Sequence, residues 1–156
     1  MTELDHTTIE QAIEALLEAN STLYDSTSVT GTKLINIEEG LPLTNDLIPQ
    51  LLPACYITLE SETLKNRGSL SSNVMDAVEH DIRYRIRIAV SDIGAKESED
   101  LLNEFQKQIL DILEDNNKLS NTVDSCFPDR ISRVEESAHN RFFARDIILH
   151  CVKTTN

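Results

Sequence analysis

Three arginines at alternate positions, Arg83, Arg85 and Arg87, form the most pronounced polar pattern in this 156-residue chain. They are interleaved with Ile82, Tyr84, Ile86, Ile88 and Val90. Side chains on a strand point alternately to its two faces, so the arginines share one face while the isoleucines enter a core. Long cations on adjacent same-face positions repel unless acids intervene. One reading is an interface strip for acidic groups of a neighbouring subunit. The other is an exposed face, or positive charge that guards a sheet edge against aberrant pairing.

The residue types needed for catalysis are present but poorly arranged. His80–Asp81 and His150–Cys151 are sequence neighbours, and neighbours on an extended chain point apart. Cys126 and His139 have no third group to orient them. Asp111 and Asp115 sit at helical spacing and read as a solvated helix face. The four glycines, 31, 40, 68 and 94, are too scattered for a phosphate-cradling loop, and no zinc-protease or serine-elbow motif occurs. The expectation is a protein without catalytic residues, metal or cofactor. Cys55, Cys126 and Cys151 are odd in number and widely spaced, which suits buried thiols better than a disulfide framework.

The charge balance narrows the partners. The net charge is −13, with Lys+Arg 14 against Asp+Glu 27, the wrong balance for nucleic-acid binding. The acids are concentrated up to Asp81, where Lys33, Lys65 and Arg67 are the sole bases; from Ile82 onward the signs nearly balance. Such asymmetry suits self-association of an acidic face with a basic strip, or simply solubility. The acidic, polar start of the chain does not read as a signal peptide, and the apolar run from Leu47 to Leu59 is interrupted by Pro49 and Pro53 and too short to span a membrane. The expectation is a soluble intracellular product that binds neither nucleic acid in a sequence-specific way nor membrane.

These groups need a scaffold, and the periodicities specify most of one. Thr7 and Glu10 fit a capping box, after which Ile9, Ala12, Ile13, Leu16 and Leu17 recur on one helical face. Glu10, Glu14 and Glu18 line another face, to be solvated or to meet a basic partner. Ser21 to Thr32 reads as a loop or weak edge strand, Lys33 to Ile37 as a short strand, and Asn45 or Asp46 as the cap of a single turn. Cys55, Ile57 and Leu59 mark a half-buried strand. A polar connection of about twenty residues, Ser61 to Asp81, then leads to the arginine strand; loops that long are usually functional or disordered. A second helix follows Gly94, with Glu97, Glu99 and Asp100 at its positive end, Leu102, Phe105, Ile109, Ile112 and Leu113 as its apolar stripe, and Asn116 at its close. Pro128 falls in a loop, Arg130 to Val134 forms a strand, and Phe142 to Val152 forms one covered on both faces. The predicted fold is a single α+β domain over 1–156: one antiparallel-rich sheet with two main helices on one face. Its predicted order is helix-strand-strand-helix-strand-strand.

This order resembles the tail-terminator or tail-completion proteins of long-tailed bacteriophages. The likeness rests on the amphipathic helix from Ile9 to Leu17, the Leu-Pro entry into a strand at Leu52-Pro53-Ala54-Cys55-Tyr56-Ile57, and the alternating strand from Asp81 to Ile88. An acidic-capped helix, Glu97 to Leu113, and a C-terminal strand, Phe143 to Val152, complete it. The resemblance implies a structural virion protein, made in the host cytoplasm, that forms a ring, commonly a hexamer. Such a ring caps the tail tube, ends its growth and joins it to the head-side connector. Two further readings are a head-completion or neck protein of the same virion and a cytosolic ferredoxin-like ligand-binding module. For a ring, Arg83, Arg85 and Arg87 are candidates for one subunit patch and Glu10, Glu14 and Glu18 for its counterpart. The connection, with Leu64, Lys65, Arg67, Leu70, Val74 and Met75, is the candidate arm for docking to tube or connector.

Overall fold

In the computed structural model, which describes residues 4–40, 52–66, 77–137 and 142–155, two helices cover one face of a single sheet. Helix α1 spans His6–Glu18 and buries Ile9, Ile13 and Leu17, one residue per turn along a single stripe. Its cap differs from the expected Thr7–Glu10 box. The Asp5 carboxylate is the N-cap, accepting from the Thr8 backbone N–H at 3.2 Å and from the Thr8 hydroxyl at 2.7 Å. An aspartate two residues earlier starts the helix instead and serves a first-turn amide, and those bonds hold its carboxyl below the usual range.

The strands are β1 (Asn36–Glu39), β2 (Ala54–Asn66), β3 (Val78–Ser91), β4 (Ser125–Ile131), β5 (Glu135–Ser137) and β6 (Phe142–Thr155), with α2 (Ala95–Asp115) between β3 and β4. They lie in the order β1-β2-β3-β6-β4, and β5 also pairs with β6. Every pairing is antiparallel except β1 on β2. The fold is therefore α+β, as the periodicities imply. Both helices share one core with the inward side chains of the sheet, among them Ile57, Ile82, Tyr84, Ile86, Ile88, Ile147 and Leu149.

Two expectations require correction and a third is refined. The connection after β2 is much shorter than twenty residues. Leu64 and Lys65 lie on β2, opposite His80 and Glu79 of β3. Their outward neighbours are polar, so the pairing left no apolar alternation to read. Arg67, Leu70, Val74 and Met75 lie outside the described residues, as do Asn45 and Asp46. Pro128 sits within a strand, not a loop: β4 is a terminal strand of the sheet, where a missing N–H costs no ladder bond, and the register slips beside it between Pro128 and Arg130. Finally, β6 does have buried apolar residues on both faces, with Ala144 and Ile148 on the helix-free side, but that side is not purely apolar. Its helix-free side carries Asp146 and His150 opposite the arginines.

Candidate interaction face

The helix-free face of the sheet carries a continuous band of paired charge. Alternation along β3 turns Asp81, Arg83, Arg85 and Arg87 to this side, and the register brings acids from four other strands toward them. Arg87 Nε–H and Nη2–H donate to the two Asp146 oxygens at 2.8 and 3.0 Å, a bidentate pair in which Asp146 is 7 % exposed. This pairing raises the Arg87 pKa further. Glu135 stands 3.5 Å from the same guanidinium. Arg85 donates to Glu60 at 3.1 Å and lies 3.7 Å from Asp146. Arg83 donates to Asp129 at 3.2 Å, and Arg130 lies 3.9 Å from Glu60. At the far end Lys65 approaches Asp81 to 2.6 Å and His150 approaches it to 3.4 Å. The Lys65 bond holds the Asp81 carboxyl below its usual range.

The acids that relieve the arginine repulsion thus come from the same chain. Neither Asp146 nor Glu60 stands out in the sequence. Their role depends on strand register, and the bulge between Leu59 and Ser61 inserts Glu60 as an extra residue. A shallow hollow of about 450 Å³ lies on this face between Glu60, Ser61, Arg83, Asp129, Arg130 and Ile148.

The expected acidic row on α1 gains a fourth member. Burial and the nearby Glu39 carboxylate raise Glu10, whose carboxylate also accepts from the Leu59 backbone N–H. Glu14 is raised to about 7 by burial and by sharing hydrogen bonds with Glu39 and Glu18. Near neutral pH a proton therefore does the work of a counter-ion on this ledge.

The histidines behave as the alternation requires. His80 points to the helix side, where Nε2 is 2.9 Å from the Thr155 hydroxyl and Nδ1 is 3.6 Å from Glu62. Asp81 points to the other side. Glu62 also lies 2.9 Å from His6 Nε2, while His6 Nδ1 is hydrogen-bonded to the Tyr84 hydroxyl at 2.9 Å. This cluster ties the first turn of α1 to β2 and β3. It escaped sequence reading because its bonded partners lie up to 78 positions apart. The three cysteines are buried free thiols, and Cys126 and Cys151 are directly opposite across β4 and β6. Burial pushes Cys55 up to about 12, and the hydrogen bond with Cys126, followed by burial, raises Cys151, so neither is an activated nucleophile. Asp111 and Asp115 are exposed on α2, and His139 lies outside the described residues. Among the described residues, no group of three or more His, Cys, Asp or Glu is disposed to hold a metal ion, and no helix is long and apolar enough to cross a membrane.

A larger cleft of about 570 Å³ opens at the start of α2, lined by Leu52, Pro53, Ile93 and Leu101 with Glu97, Asp100 and Glu104.

No protein-family model matches the chain, and no curated protein matches it. Among solved structures it is similar to a chain of the particle described as "Virion of native gene transfer agent (GTA) particle", over 94% of each chain, with 10% identity and a TM-score of 0.46.

Proposed function

We propose that the chain is a structural virion protein of the tail-terminator class, assembling into a ring that caps a tail tube and meets the head-side connector. The observation that carries this reading is the helix-free face. A face on which nearly every charge has an intramolecular partner is suited to contact over an area, and its acids are engaged with arginines rather than in a nucleophile–base–orienter arrangement. The element order on which the sequence resemblance rests, from amphipathic helix to C-terminal strand, is also that of the fold. In the ring, the charge-paired face of Arg83, Arg85 and Arg87, with Arg130 at its rim, supplies one patch, and the acidic row of Glu10, Glu14 and Glu18 supplies the other. A closed cyclic assembly joins two different patches, so neither requires self-complementarity. The segment between Asn66 and Val78 is the proposed docking element for tube or connector.

The test is mass photometry of the purified protein, alone and with tail tubes grown from the tube protein of the same virion. The expected result is a discrete ring and tubes that stop at one length. A monomer that neither associates nor ends tube growth overturns the reading.

A further inference from the structure

We propose that the cleft at the start of α2 receives the β4 edge of a second copy, with Phe127 inserted and Arg130 meeting the acidic rim; this rests on the ring reading above. The cleft has an apolar floor, in which Leu52 is 8 % exposed, and an apolar mouth, where Ile93 is 60 % exposed. Its size is within the range of small-molecule pockets, about 300–1,000 Å³. Such pockets also converge buried polar groups on their ligand. Here the charged lining consists of Glu97, Asp100 and Glu104, all exposed, so the matching occupant is apolar with a cation at its flank.

Strand β4 has that character. Pro128 offers no N–H and the ladder slips beside it, so this edge is poorly built to extend a sheet by backbone pairing. It displays side chains instead. Phe127 is 48 % exposed, Ile131 is 40 % exposed, and the Arg130 side chain is 69 % exposed. A chain cannot fill its own cleft with this edge. Leu101 and Glu104 line the cleft, whereas Leu110 and Glu114 of the same helix lie beside Pro128 to Ile131. At 1.5 Å per residue these stretches of α2 are about 15 Å apart. Knob and socket are therefore different patches at two ends of one subunit. Copies joined through them associate head to tail, the contact that closes into a ring when the rotation permits.

The chain has no Trp, so one introduced at Ile93 is a clean reporter. Emission and particle mass are followed together over a dilution series for I93W alone and combined with F127E, R130E or R130E/E104R. The expected result is a blue shift that grows as rings form. F127E should remove both shift and rings while its melting temperature stays within a few degrees. R130E should weaken assembly at least tenfold, and E104R should recover most of that loss. If Trp at position 93 itself blocks rings, V29W beside the cleft serves instead, because Val29 is 96 % exposed. Rings that persist in F127E overturn this docking mode and leave the ring reading standing. A blue shift that does not depend on concentration overturns it too, since the occupant would then be the chain itself. A wild-type protein that stays monomeric at every concentration, with and without tubes, overturns both.

Discussion

Arg87 and Asp146 face each other as register partners on β3 and β6, with both carboxylate oxygens engaged by one guanidinium at 2.8 and 3.0 Å. Two central strands are thereby clamped on the side that no helix covers. The pair also explains how a row of arginines is tolerated there: Asp146 lies 3.7 Å from Arg85 as well, so one buried carboxylate serves two cations.

The three arginines should therefore differ in cost when replaced. Removing one partner of a buried pair typically costs about 3–5 kcal/mol, and an exposed pair about 0–1 kcal/mol. D146A is expected to lose about 3 kcal/mol in urea melts, R87A somewhat less, and R83A, whose partner Asp129 is exposed, under about 1 kcal/mol. Reversing all three arginines to Glu should unfold the chain rather than only dissociate it, so R83E alone is the cleaner assembly probe. Equal losses for R83A and R87A would contradict the ranking.

Stability should fall as pH rises from about 4.5 to about 7 because of Glu14, and stay at the lower level above that. Its carboxyl titrates near 4.5 in the unfolded chain and about 7 in the fold. The folded state thus holds the proton more tightly. The resulting stability is full below pH 4.5 and is lost as pH rises through 7. Solvent screens much of the repulsion at this partly exposed site, leaving about 1 kcal/mol. E14Q should accordingly raise the melting temperature at pH 8 by about 2–4 °C and do little at pH 5. A variant equally stabilised at both pH values would mean that the Glu39–Glu14–Glu18 repulsion is not the cause.

The cluster around Glu62 should govern the first turn of α1. Its carboxylate lies 2.9 Å from His6 and 3.6 Å from His80. Replacing it with Ala removes the charge-assisted contact to His6, worth about 1.5–3 kcal/mol when well formed, and the longer, weaker approach to His80. We expect E62A to lose about 1–2 kcal/mol and to speed amide exchange from Thr8 to Ala12, with α2 unaffected. Uniform acceleration across both helices would instead point to global destabilisation.

Gly94 should resist substitution because of its backbone. Its φ is 116°, a region that side chains avoid, and an added Cβ would also collide with the Glu97 carboxylate. G94A is expected to cost about 1–3 kcal/mol. Adding E97A should recover little of it, since the strain lies in the main chain and the Glu97 side chain can swing away. Full recovery in the double variant would show that the collision dominates.

The sequence by itself determined the elements that carry their own period. The run from Ile82 to Val90 reads as a strand because its alternation is unbroken, and α2 reads as a helix because Leu102, Phe105, Ile109 and Leu113 recur at helical spacing and are all buried. With α1, these are enough to imply one sheet with helices on one side. The tertiary structure decided whatever depended on register. Residues 61–66 and 78–81 extend β2 and β3 because each strand is the other's template, although most of their side chains are polar and exposed on β2. Pro128 is accepted in β4 because nothing pairs with its outer side among the described residues. Asp146 meets Arg87, and Glu62 meets His6, only after strands distant in the chain are aligned. A period is a local property, legible in a short window; a pairing between residues dozens of positions apart is set by the packing of the whole core.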